Sequence, residues 1–254
     1  MKNELEFPSN YVERYLQMKK LGNNITTIKK GRSSYEEYTE ENLWNDEILE
    51  DICDISKIII DYVKNDEILK DKSYYGKKIV SIDIETTDFI PKAREGFVNI
   101  LGLTSLNLRN SSEGNIELFI YQAFNMLRKK DDAPHLLNLA WDFINDSDIL
   151  IVFNKSFDIK ILQTIIDNYN LNYKFPKNIV DMRDYFKNLV ALEDYLKEQV
   201  GFERIHSEKG HYNEYYKLFK GQGKRGMNKK IDPIGIYNLM DTLTPLFGFC
   251  MLSQ

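Results

Sequence analysis

Residues 148–154, DILIVFN, place five apolar side chains in a row between polar neighbours. A strand with one wet face alternates apolar and polar residues. One that is apolar at every position suits a parallel strand covered on both faces. This run therefore commits the chain to a sheet with helices on both sides. A helix should follow at once, because Phe157, Ile161, Ile165 and Tyr169 recur at helical spacing. Upstream, residues 77–85, 97–108 and 115–121 read as three strands, with the turn-rich RNSSEGN between the last two suiting a hairpin. Leu136 to Ile144 reads as a helix and 177–181 as a short fifth strand. After Met182 the chain reads as helical, interrupted by a Gly/Lys-rich loop at 220–230. The expectation is an α/β domain over residues 76–254: a mixed five-stranded sheet flanked by helices.

Residues 1–75 have a different texture. From Glu36 to Asp54 there are nine acids and no Lys or Arg, read as a solvated helix face. Ile55, Ile58, Ile59 and Tyr62 then recur at helical spacing. These features predict a helical N-terminal appendage, and a protein partner, if there is one, would engage the chain through it. No repeat or low-complexity segment interrupts the chain.

Composition excludes several classes. At 43% hydrophobic residues, with 16 Tyr and 14 Phe, the chain can build a core and is not of disordered type. Its net charge of −5 means that nucleic-acid binding, if any, must come from a local patch rather than the overall field. Cys53 and Cys250 are far apart and form no CxxC-type cluster, so neither a disulfide framework nor a zinc site is expected. The first residues lack an apolar signal-like core and no segment is apolar enough to span a membrane. A cytoplasmic protein that engages no membrane is the expectation.

The segment VSIDIETTDF (80–89) contains an apparent contradiction. Val80, Ile82 and Ile84 alternate with Asp83 and Glu85, so both acids project from the same strand face. Two like charges held together near a core repel and lose hydration. Two more acids sit where they would approach this pair. Asp158 lies just after the apolar strand, in the first turn of the next helix, at the kind of strand end where open α/β sheets bind ligands. Asp241 lies on a helix whose start is marked by Asp232 as N-cap and Pro233, with Tyr237 one turn earlier on the same face. Taken singly, each pattern has a plain structural reading: acids on an edge strand, helix capping by Asn154 or Asp158, a core tyrosine beside a surface aspartate.

Taken together and in order, Asp83-x-Glu85, Asn154-x-x-Phe157-Asp158 and Tyr237-x-x-x-Asp241 resemble the three motifs of the DnaQ-like (DEDD) 3′–5′ exonucleases. The tyrosine marks the DEDDy branch; the DEDDh branch would need a histidine where this chain has Ile236. Within that superfamily the chain is most similar to stand-alone ribonuclease-H-like nucleases of the YprB type, on LEDYLKEQVGFER (192–204) as well, and to the proofreading domain of family B DNA polymerases. The resemblance covers about residues 78–250. It implies a ribonuclease-H-like fold and hydrolysis of single-stranded DNA or RNA from the 3′ end.

It also implies two divalent cations, Mg²⁺ or Mn²⁺. Such hard ions prefer carboxylate oxygens, and about four positive charges among four acids turn repulsion into attraction. By the same resemblance Asp83 would bridge both ions, Glu85 and Asp241 would complete the site that holds the attacking water, and Asp158 would help hold the second ion. Tyr237 would orient the water, while Thr86 and Asn154 would lie against the substrate. Phe89 is read as core. His135, His206 and His211 fit no ligand or base spacing. Pro245 removes a backbone donor from the turn after Asp241, so a kink is expected there.

Residues 217–230, KLFKGQGKRGMNKK, carry six positive charges and no acid directly before the third motif. Lys220, Lys224, Arg225, Lys229 and Lys230 are candidates to grip phosphates, with Tyr212, Tyr215 and Tyr216 placed to stack on bases. A solvated loop and a packed tyrosine pair are the alternatives. Two rival functions stay open on sequence: a non-catalytic nucleic-acid-binding subunit on the same fold, and a structure-specific endonuclease.

Overall fold

The computed structural model describes residues 11–21, 24–34, 44, 46–65, 74, 76–86, 98–111, 115–125, 133–203, 205 and 231–252. In chain order the elements are β1 (Tyr11–Leu21), β2 (Asn24–Ser33), α1 (Asp46–Asn65), β3 (Lys78–Thr86), β4 (Val98–Asn107), β5 (Asn115–Asn125), α2 (Ala133–Asn145), β6 (Ile149–Val152), α3 (Asp158–Asn168), β7 (Ile179–Asp181), α4 (Leu189–Val200) and α5 (Ile231–Leu252). The strands form one mixed sheet in the order β2-β1-β5-β4-β3-β6-β7. β6 runs parallel to both β3 and β7, and the other pairings are antiparallel.

All four residues of β6 are buried, as its unbroken apolar run requires. On one face of the sheet, Val80, Ile82, Ile84, Leu101, Leu103 and Leu150 pack with Leu137, Trp141 and Ile144 of α2 and Ile161 and Ile165 of α3. On the other, Ile79, Ile100, Leu106, Leu118, Phe124 and Ile151 pack with Ile52 and Ile59 of α1, Leu192 and Leu196 of α4, and Leu239, Leu243 and Phe247 of α5. Each such aliphatic or aromatic side chain contributes roughly 1.5–3 kcal/mol by leaving water. β3 alternates between the faces, so Asp83 and Glu85 fall on the α5 side with Ile79 while Val80, Ile82 and Ile84 enter the α2–α3 core.

The expected helical appendage and five-stranded sheet are both corrected. Residues 11–21 and 24–33 form β1 and β2, which extend the sheet beyond β5 and bring it to seven strands among the described residues. β1 places Val12, Arg14, Leu16 and Met18 on one buried face at a period of two. The arginine in the second of those places breaks the apolar alternation that reveals a strand. β2 is an edge strand, mostly exposed, and its Lys29, Lys30 and Arg32 suit an edge that must not pair with another chain. Among the described residues before β3 the helical part is α1, and it buries Ile52, Ile55, Ile59, Ile60 and Val63. Ile58 faces solvent at 43% exposure rather than joining the stripe expected of it. Replacing fully buried Leu16 by Ala should cost about 2–5 kcal/mol in urea unfolding. A loss under about 0.5 kcal/mol, the usual surface range, would contradict the placement of β1 in the core.

α5 starts at Ile231, one residue before the expected cap, and continues through Pro245 to Leu252. From Ile236 onward it is buried along most of its circumference, and packing on that scale holds the helix through the missing backbone bond. Among the described residues no helix is long and apolar enough to cross a membrane.

Candidate active site

The site forms where β3, α3 and α5 converge. Asp83 pairs in register with Gly102 of β4 and Glu85 with Ile100, after which a bulge shifts the register so that Thr86 meets Val98. Bulges of this kind locally bend a strand and re-aim its side chains, and they are frequent beside active sites. α5 crosses the same face and brings Asp241 down to the pair. Carboxylate oxygens of Asp83, Glu85 and Asp241 all lie within 4.8 Å of one another, and all three residues are half-buried.

Asp158 opens α3 and is 3% exposed. The turn before it is closed by backbone bonds from Phe157 and Asp158 to the Asn154 carbonyl, at 2.8 and 3.0 Å. Burial pushes the Asp158 carboxyl up to about 8; hydrogen bonds from backbone N–H groups, Ile84 among them, act in the opposite direction, and the charges of Asp241 and Asp181 add to the rise. Asp83 is likewise held well above the ordinary carboxylate range, first by burial, then by the charges of Asp241, Glu85 and Asp158. A hydrogen bond from Asn238 only partly offsets this. Burial and the neighbouring acids thus raise the affinity of Asp83 and Asp158 for positive charge, protons included.

The donor set fits hard divalent cations. All of it is carboxylate oxygen, and Oδ1 of Asp158 is buried with no hydrogen-bond partner among the described residues. An oxygen so placed costs free energy unless something positive approaches it.

Of the other residues singled out by sequence, Tyr237 sits one turn before Asp241 on α5 and is half-buried, as is Thr86 at the end of β3. Asn154 serves a local turn, its Oδ1 accepting from the Ser156 hydroxyl at 2.7 Å. Lys220, Lys224, Arg225, Lys229 and Lys230, the three tyrosines of 212–216 and Phe89 lie outside the described residues. Sequence reasoning missed Asp181, at the end of β7, whose charge reaches Asp158 while its own oxygens accept from the backbone of Lys155 and Arg183 at 3.0 Å each. It also missed Asn238, whose Nδ2 donates to the Asp83 carboxylate at 2.8 Å and to its carbonyl at 3.2 Å.

A mixed sheet flanked by helices, with acids from an inner strand and a covering helix drawn into one cluster, is a ribonuclease-H-like nuclease fold. The family model for the RNase_H superfamily matches residues 80–246, from β3 into α5, a span that holds Asp83, Glu85, Asp158, Tyr237 and Asp241. The chain belongs to the RNase_H superfamily. No curated protein and no solved structure matches it.

Proposed function

We propose that the protein is a two-metal-ion 3′–5′ exonuclease of the DEDDy type. It hydrolyses the terminal phosphodiester bond of single-stranded DNA or RNA and releases nucleoside 5′-monophosphates. The observation that carries this reading is the gathering of Asp83, Glu85 and Asp241 within 4.8 Å, with Asp158 close enough to share their field. Asp83, Glu85, Asp158 and Asp241 would hold the two cations, Mg²⁺ or Mn²⁺. Bound there, such ions lower the pKa of water and offset the charge that grows on phosphate oxygens. The residues of the chain do the rest. Asp83 and Glu85, fixed on a strand, and Asp241, fixed on a buried helix, set the ligand geometry without reorganising during turnover. The Tyr237 hydroxyl orients the attacking water, whose oxygen forms the new bond to phosphorus as the bond to the 3′ oxygen breaks. The water's proton leaves and the departing 3′ oxygen gains one. Thr86 and Asn154 face the terminal nucleotide.

The test uses 5′-labelled linear single strands of DNA and of RNA, and a circular DNA strand, with Mg²⁺ or Mn²⁺ and with chelator. A metal-dependent ladder shortening from the 3′ end, with the circle intact, is the expected result. Cleavage of the circle would indicate an endonuclease, and binding without cleavage would leave a non-catalytic nucleic-acid-binding subunit.

The basic segment 217–230 supplies the grip on the substrate in this reading. Replacing Lys224 and Arg225 by Ala should weaken single-strand binding and flatten the plot of log affinity against log salt, by about 0.7 for each phosphate that is no longer neutralised. An unchanged slope would remove the segment from the interface.

A further inference from the structure

The sheet carries a polar row through its apolar face. Arg14 of β1 pairs in register with Gln122 of β5, Gln122 with Gly102 of β4, and Gly102 with Asp83 of β3. The four positions share the α5 side of four adjacent strands. Arg14, Gln122 and Asn238 are each at most 1% exposed. The row has a gap at Gly102, which has no side chain, and Asn238 of α5 fills it. A Cβ on Gly102 would lie 2.2 Å from Asn238 Oδ1.

Through that gap the hydrogen bonds are continuous. Arg14 Nε donates to Gln122 Oε1 at 3.0 Å, Gln122 Nε2 donates to Asn238 Oδ1 at 2.9 Å, and Asn238 Nδ2 donates to Asp83 Oδ2 at 2.8 Å. Gln122 Nε2 is braced a second time by the Gly235 carbonyl of α5 at 2.7 Å. Gly235 also lets the helix come close, since a Cβ there would lie 2.5 Å from Arg14 Nη2.

The direction of this chain follows from its first member. A guanidinium can only donate, so Gln122 must turn its oxygen to Arg14 and its amide nitrogen to Asn238. Asn238 must then turn its oxygen to Gln122 and its nitrogen to Asp83. One buried cation, seated 4.3 Å from the centroid of the Trp44 ring and 5.3 Å from that of Phe124, thereby sets the orientation of two amides and presents a donor to Asp83. Buried charges and amides are costly to place, and a run of apolar residues would cover the same sheet face without that cost.

We propose that Asn238 is a positioning residue that fixes the Asp83 carboxylate for cation binding, and that Gln122 and Arg14 hold Asn238 in the required orientation. The N-terminal strand β1 thus takes part in assembling the site, although the matched family region begins only at residue 80. The inference rests on the reading that Asp83 holds a cation. Outer partners that orient metal ligands typically set affinity by about 10–100-fold.

The test is Mn²⁺ affinity, measured by calorimetry well below each protein's melting point, for wild type, Asn238→Ala, Gly102→Ala, the double variant and Gln122→Met. Asn238→Ala and Gly102→Ala should each weaken Mn²⁺ binding about tenfold or more. The double variant should lose no more than the worse single one, because Gly102 acts through Asn238. Gln122→Met should weaken binding in the same direction. A purely structural row would lower melting temperatures and leave Mn²⁺ affinity unchanged, which would overturn the inference. Should Asn238→Ala fail to fold, Gly102→Ala, which alters no charge or polar group, decides alone. Wild-type binding with unaltered affinity in the variants removes only this inference; no Mn²⁺ binding by the wild-type protein removes the metal reading and the inference together.

Discussion

In the presence of chelator, Asp83→Asn protein should melt at a higher temperature than wild type, and it should have lost its response to divalent cations. The substitution keeps the shape and an oxygen for the Asn238 amide, and it removes the charge on which Asp241, Glu85 and Asp158 converge. Without cations a carboxyl there is a liability, because burial and three like neighbours all oppose its ionisation. With cations it becomes the ligand that draws the cluster together. Wild type at a Mg²⁺ concentration a hundred times its dissociation constant should gain about 2.7 kcal/mol of stability, and the variant should gain little. Hydrolysis should fall on the order of a thousandfold or more, since metal-assisted charge stabilisation is worth several kcal/mol at the barrier. A variant less stable than wild type in chelator, yet still stabilised by Mg²⁺, would show that Asp83 has a structural role only.

The second large effect is on pH. The Asp158 carboxyl stands at about 8 in the folded protein against an ordinary value of 3.8, and Asp83 is shifted in the same direction. Between those values the folded chain holds protons that the unfolded chain has released. Stability therefore falls as pH rises whenever the native state binds more protons. In chelator the melting temperature should drop from about pH 5 to about pH 8, where the contribution of Asp158 ends as its folded carboxyl loses its proton. Added Mg²⁺ should reverse the loss, and its affinity should climb over the same window, because the ions displace protons from the cluster. Melting curves at several pH values, with and without Mg²⁺, check both signs. A metal-free protein that grows more stable towards pH 8 would contradict the assignment of buried, mutually repelling acids.

The acidic cluster was legible because its parts sit on elements that announce themselves. Alternation in β3 puts Asp83 and Glu85 on one face, and the continuous run of β6 fixes where α3 and Asp158 begin. The start of α5 is marked by Asp232 and Pro233, and helical spacing then puts Tyr237 and Asp241 on one face. The first two strands were not legible. β1 hides its period behind Arg14, which occupies a core position, and β2 is an exposed edge with almost no apolar pattern. Neither Gln122 nor Asn238 could be found from sequence, since neither amide titrates and their meaning depends on partners 108, 116 and 155 residues away. Gly102 gives the same lesson: it lies unremarked within the strand read at 97–108 and is the opening through which Asn238 reaches Asp83.

The most direct measurement is the number of Mn²⁺ ions bound per chain, by calorimetry, for wild type and for Asp83→Asn at a pH near 8. Two ions per wild-type chain, with proton release and with binding abolished or sharply weakened in the variant, is the expected result. An absence of binding by wild type, or undiminished binding by Asp83→Asn, would contradict the assignment of this acidic cluster as a two-metal hydrolytic centre.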